Sequence, residues 1–256
     1  MTEAGLSADA FTEDAFLGGQ LRLRQPKSGH RAGHDAILLA AATSARAGDR
    51  VADFGAGVGA AGLALARRVA GIKTVLVEID PELAGLARGN ARANDIAADI
   101  VALDVTGDAE SFARAGLGPD SLDVVLMNPP FNDAARHRAS PQKALAHVAT
   151  ATTLEDWIHA ARRTLKSGGV LTLIWRADGL AEVFSALDRG FGSFAVLPVH
   201  GDAASPAIRV LVRATKGGKA PLQIHPALML NNESGVPDKQ LADVLAGKGI
   251  LSLAIP

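Results

Sequence analysis

Val51-Ala-Asp-Phe-Gly-Ala-Gly-Val-Gly59 is an apolar run of strand length that empties into three glycines and then into a helix-forming segment. Glycines at such a junction permit a tight turn and let main-chain N–H groups approach a ligand at the helix N-terminus. Gly57, Gly59 and Gly62 also satisfy the G-x-G-x-x-G spacing of a nicotinamide-dinucleotide fold, with Glu78 21 residues after Gly57. The loop alone therefore leaves the class of ligand open.

Outward from this stretch, short apolar runs alternate with amphipathic segments. Strands are predicted at Val51–Phe54, Thr74–Ile79, Asp99–Leu103, Leu122–Met127, Val170–Trp175, Ala195–Val199 and Ile208–Ala214, and helices at 59–70, 81–94, 153–165 and 178–189. Asp80 is placed to cap the second helix, with Pro81 in its first turn. Such alternation predicts a Rossmann-like, doubly wound α/β fold: a mostly parallel sheet of seven strands covered on both faces. No helix-length segment separates the last two strands, so they are expected to form an antiparallel edge pair. Leu17–Gln25 reads as a small hairpin, His34–Ala42 as a helix, and the tail ends in a short helix near Asp238–Ala246. The domain reading is an appendage over residues 1–47, a core over 48–215 and a tail over 216–256 packed on that core.

Three acids narrow the ligand. Asp53, Glu78 and Asp104 each end a predicted strand, and ligands of open parallel sheets bind at the carboxyl ends of strands. A carboxylate at Asp53 repels a pyrophosphate and attracts an ammonium group. Glu78 is placed to accept both ribose hydroxyls, and Asp104 to accept from an adenine amino group. The trio favours S-adenosylmethionine over a nicotinamide dinucleotide. Its predicted contacts comprise Asp53, Gly55, Ala56 and Gly57 in the loop, Glu78 with Ile79, Asp104 with Val105, and Asn128.

The fourth strand runs into Asn128-Pro129-Pro130-Phe131. Two prolines fix the backbone and remove two N–H donors, leaving the carbonyls of Asn128 and Pro129 as rigid acceptors. A conjugated amine is a poor nucleophile because its lone pair is delocalised. Acceptors that grip both of its hydrogens favour the pyramidal nitrogen and stabilise the charge developing on it. Phe131 is suited to stack on the ring. The four residues are assigned as catalytic, acting by positioning on a planar nitrogen, with no metal required.

Bulk properties agree with an ordinary globular protein. Of 256 residues, 48% are hydrophobic and 21% charged, which argues against disorder. The apolar runs fall far short of the roughly 20 residues a membrane span needs, and no secretory signal is legible, so a cytoplasmic location without membrane contact is expected. Absence of cysteine excludes disulfides, thiolate metal sites and cysteine nucleophiles. The net charge of −1 leaves nucleic-acid contact to local patches. Arg22, Arg24, Lys27 and Arg31 form one such patch before the core, and Arg136 and Arg138 another after the Asn-Pro-Pro-Phe turn. Solvated loop charge is the plainer reading of both.

Asp53-Phe-Gly-Ala-Gly57 together with Asn128-Pro-Pro-Phe131 resembles the class I methyltransferases that act on planar nitrogens. These include adenine-N6 enzymes, guanine-N2 rRNA enzymes and release-factor glutamine methyltransferases. Within them the chain looks most like the bacterial tRNA1(Val) adenine-37 N6-methyltransferases. The added likeness lies in Gln25-Pro-Lys-Ser-Gly-His-Arg-Ala-Gly-His34-Asp35-Ala-Ile-Leu-Leu39, and in Ala144-Leu-Ala-His147 followed by Leu154 and Trp157. In that family the first of these segments reaches over the cofactor, which implies a contact from His34. His34 stands where the family often carries a smaller hydroxyl residue. The resemblance implies an RNA substrate, foremost the anticodon-loop adenine of a tRNA. A glutamine amide, a guanine N2 and a non-catalytic RNA-interaction role remain the alternatives, and the oligomeric state is not legible.

Overall fold

The computed structural model describes residues 10–28, 31–130, 154–231, 235–236 and 238–255. An antiparallel hairpin, β1 (Phe11–Phe16) and β2 (Leu21–Pro26), precedes α1 (His34–Ala42). The hairpin starts earlier than its sequence suggested. Leu17, Gly18 and Gly19 all take positive φ, so they form the turn, and the acidic run before them supplies the partner strand. In β2, Leu21 and Leu23 are buried while Arg22 and Arg24 face outward, the period of two expected of a half-buried strand.

The main body then alternates β3 (Arg50–Phe54), α2 (Ala60–Arg68), β4 (Lys73–Glu78), α3 (Pro81–Ala93), β5 (Ala98–Ala102), α4 (Ala109–Arg114), β6 (Leu122–Met127), α5 (Leu154–Thr164), β7 (Leu165–Arg176), α6 (Leu180–Leu187), β8 (Phe191–His200) and β9 (Ala207–Lys216). Two-residue strands β10 (Gln223–Ile224) and β11 (Leu228–Met229) and helix α7 (Lys239–Leu245) follow. The order across the sheet is β10-β8-β9-β7-β6-β3-β4-β5, with β11 also on β8. β3, β4, β5, β6 and β7 pair in parallel, whereas β7 with β9 and β8 with β9 are antiparallel. The sheet therefore has nine strands where seven were expected. The two extra strands are too short to show a period and lie among Pro221 and Pro226, so sequence patterning passes over them.

Alternate residues of the central strands feed two separate cores. Val51, Leu76, Val124 and Leu126 pack on the face covered by α1, α2 and the hairpin. Ala52, Val75, Val77, Val125 and Met127 pack on the face that contains Phe112, Trp157 and Val183. Burial on both faces is why these strands read as continuous apolar runs. α3 begins as its sequence predicts: the Asp80 side chain accepts from the N–H groups of Glu82 and Leu83, and Pro81 fills the first turn.

Strand order reverses between β3 and β6. From β3 the chain moves outward through β4 and β5, then returns to lay β6 on the other side of β3. Phe54 and Met127 are paired in register, so Gly55 and Asn128 leave the sheet side by side. Such a switch point opens a crevice at the carboxyl ends of the strands. Among the described residues, no helix is long and apolar enough to cross a membrane.

Candidate active site

A cavity of about 430 Å³ lies at that switch point. Its wall comprises Asp53, the turn Gly55–Val58, Ala60 and Ala61 of α2, Leu83, Asn128, the stretch 31–36 entering α1, and Arg209 of β9. The sequence-assigned residues Arg31, His34, Asp53, Gly55, Ala56, Gly57 and Asn128 thus converge on one space.

Asp53 is buried, and its Oδ2 accepts the Gly62 N–H at 2.7 Å. Gly62 is in the first turn of α2, where a helix presents unsatisfied N–H donors. That approach requires glycine. A Cβ at position 62 would stand 2.4 Å from Leu76 and 3.1 Å from the Asp53 carboxylate. The donor a pyrophosphate would seek is therefore occupied by an acid, which disfavours a dinucleotide here. Burial pushes the Asp53 carboxyl up to about 7; the Gly62 bond opposes this rise and the nearby Glu78 charge adds to it.

Gly55 has a second constraint. Its φ is +71°, and a Cβ there would meet the Trp157 ring at 2.4 Å. Trp157 of α5 thus floors the turn from beneath, while the N–H groups of Gly55 and Ala56 both donate to the Val77 carbonyl. Glu78 is also buried. Its Oε2 accepts from Gly57 N at 2.7 Å and its Oε1 from Asp80 N at 2.9 Å. The carboxylate is held rigidly, and each oxygen keeps lone-pair capacity for a further donor.

Glu78, Ile79, Asp104 and Val105 do not line this cavity; Glu78 ends the neighbouring strand β4 and Ile79 follows it, while Asp104 and Val105 come after β5. Ile79 is 62% exposed, a large apolar side chain left open at the strand end, while Val105 is buried. Asp104 is exposed, and its Oδ1 accepts from the Thr106 N–H and hydroxyl, both at 2.8 Å.

Asn128 stands directly after β6. Its Oδ1 is buried and has no hydrogen-bond partner among the described residues. Pro129 beside it is buried and Pro130 exposed. Orphaned acceptors inside proteins are costly, about 1–3 kcal/mol each, so an unpaired one on a cavity wall is a mark of a ligand position. Phe131, Arg136 and Arg138 lie outside the described residues.

The basic residues of the hairpin already have partners. Arg22 pairs with Glu13 at 3.2 Å on an exposed surface, and Arg24 lies over the Phe11 ring, 4.3 Å from its centroid. Arg31 reaches Asp14 at 2.6 Å and the Pro26 carbonyl at 2.8 Å. Lys27 is exposed just after β2. Sequence reading missed the ion pair between Asp35 and Arg209, 2.9 Å apart at the cavity. Asp35 lay in a segment already singled out, but 174 residues separate it from Arg209 and no local pattern links them.

Residues 31–201 match the methyltransferase small domain family. The tRNA1(Val) (adenine(37)-N6)-methyltransferase of Porphyromonas gingivalis is 31% identical over 66% of this chain and 68% of its own length. The protein of that name from Dickeya chrysanthemi is 30% identical over 82% and 83%. Among solved structures, a predicted O-methyltransferase from Agrobacterium tumefaciens superposes with a TM-score of 0.72 at 31% identity, covering 85% of this chain and 98% of that one. The chain belongs to the methyltransferase small domain family and is an S-adenosylmethionine-dependent methyltransferase.

Proposed function

We propose that the protein methylates N6 of an adenine in tRNA, the anticodon-loop adenine 37. The observation that carries this reading is the buried Oδ1 of Asn128 on the cavity wall, which has no partner among the described residues. The names of the two bacterial relatives support the substrate.

The residues present fit S-adenosylmethionine. Asp53 would offer a carboxylate oxygen to the methionine ammonium, the N-terminus of α1 with His34 would hold its carboxylate, and Glu78 would accept the ribose hydroxyls. Ile79, exposed at the end of β4, and Asp104 with Val105 after β5 would hold the adenine. When bound, this cofactor supplies an electrophilic methyl group. Asn128 Oδ1 accepts one hydrogen of the target amine and the Pro129 carbonyl the other, which directs the nitrogen lone pair at that methyl group. Phe131 stacks on the ring. As the nitrogen becomes positive, both acceptors bind it more tightly, so their effect falls on the transition state.

An amine with two hydrogens uses both acceptors, whereas a hydroxyl leaves one unpaired. This disfavours O-methylation, the chemistry named for the Agrobacterium protein. A glutamine amide also carries two hydrogens, and it is the second reading. The segment 1–47 serves as an appendage over the cofactor and the tail 216–256 as a brace on the core. Arg22, Arg24, Lys27 and Arg31, together with Arg136 and Arg138, contact the RNA backbone. Incubation with labelled cofactor and either total tRNA or release factor tests the choice. Label in tRNA alone supports the proposal, and label in release factor alone overturns it.

A further inference from the structure

Two asparagines, Asn90 in α3 and Asn94 at its C-cap, hold the open edge of the hairpin. Asn94 accepts from the Arg22 N–H at 2.9 Å and donates to the Arg22 carbonyl at 2.7 Å. Asn90 does the same for Arg24, at 2.8 and 3.1 Å. Their spacing of one helical turn matches the two-residue repeat of β2, so the amides act as a strand would. Both asparagines are buried.

They differ in one respect. The Asn90 Nδ2 donates a second bond, 2.9 Å, to the carbonyl of Val58. Val58 sits between Gly57 and Gly59 in the turn that lines the cavity. The other donor bond of Asn94 goes to the main-chain carbonyl of Asn90, one turn back at the end of α3. Asn90 therefore joins three parts that the chain order keeps apart: hairpin, α3 and glycine turn. The Asn94 side chain joins only the hairpin and the end of α3.

We infer that Asn90 is a positioning residue for the cofactor turn, fixing the Val58 carbonyl and thereby making the N-terminal hairpin part of the support for cofactor binding. The turn needs such support because its glycines have little conformational preference of their own. One amide with three partners in a buried setting selects a single arrangement of them. The inference rests on the assignment of the turn to S-adenosylmethionine.

Titration calorimetry with S-adenosylmethionine, together with steady-state kinetics, tests it. The wild-type protein comes first, since no binding there would overturn the cofactor assignment itself. Given wild-type binding, Asn90→Ala is expected to raise Kd and the cofactor KM about five- to tenfold, with kcat at saturating cofactor within about twofold. Asn94→Ala, which loosens the same hairpin without touching the turn, is expected to keep Kd within about twofold. Asn90→Asp keeps the size and the acceptor for Arg24 but loses the donor to Val58, and at pH 8.5 it is expected to weaken binding as Asn90→Ala does. Equal weakening by Asn90→Ala and Asn94→Ala would reduce the effect to general loosening and overturn the inference. Wild-type affinity in Asn90→Asp would do the same even if the alanine variant fails to fold.

Discussion

Asp53 and Gly62 face each other across the start of α2, the carboxylate accepting the glycine N–H at 2.7 Å in a space that a methyl group would close. This contact fixes the helix N-terminus against β3 and places a buried acid at the cavity. Its carboxyl, raised to about 7 by burial, titrates near neutral pH.

Cofactor affinity should therefore depend on pH. The methionine ammonium favours the ionised acid, so below pH 7 binding must release a proton. Affinity is expected to rise up to about tenfold per pH unit below 7 and to level off above it. Asp53→Asn should flatten the profile and bind more weakly. Calorimetry in two buffers of different ionisation enthalpy measures the released proton directly; no release at pH 6 would contradict this account.

The same shift sets the sign of a stability effect in the cofactor-free protein. The folded state binds the Asp53 proton more tightly than the unfolded chain, so this contribution is complete below about pH 3.8 and is lost as pH rises through about 7. The loss is at most about 1.4 kcal/mol per pH unit. Comparing thermal or urea unfolding of wild type and Asp53→Asn from pH 4 to 8 isolates it. The variant should be the less pH-sensitive of the two.

Glycine substitutions should divide by position. Gly62→Ala forces a Cβ against Leu76 and Asp53 and is expected to cost about 1–3 kcal/mol of stability along with cofactor affinity. Gly89→Ala lies in α3 with open space around its Cβ and should stabilise by about 0.5–1 kcal/mol. Denaturant unfolding reads both signs, and equal effects would contradict the packing described for Gly62.

Asn128→Ala should reduce kcat by on the order of 10²–10³-fold while leaving cofactor Kd within a few-fold, because the lost acceptor acts on the developing charge. Phe131→Tyr should keep substantial activity and Phe131→Ala should not. An Asn128→Ala enzyme as fast as the parent would remove the basis of the mechanism.

The fold was legible because each central strand is buried on both faces, so Val51–Phe54 and Leu122–Met127 stand out without any alternation to obscure them. Asp53 and Asn128 were singled out from their places at the ends of strands, and both line the cavity. Asp104, read by the same logic, is exposed beyond the cavity, with its Oδ1 accepting from Thr106. The contacts that escaped are long-range ones. Trp157 under Gly55, Asp35 with Arg209, and Asn90 with Val58 join segments far apart in the chain, and no period or spacing encodes them. β10 and β11 escaped because two residues carry no pattern.

The most direct measurement is nucleoside mass spectrometry of total tRNA after incubation with the purified protein and S-adenosylmethionine. The account predicts a gain of N6-methyladenosine, confined to a tRNA fragment that contains the anticodon loop and absent with Asn128→Ala. Methylation of guanine N2 or of a ribose hydroxyl, with no change at adenine N6, would contradict it.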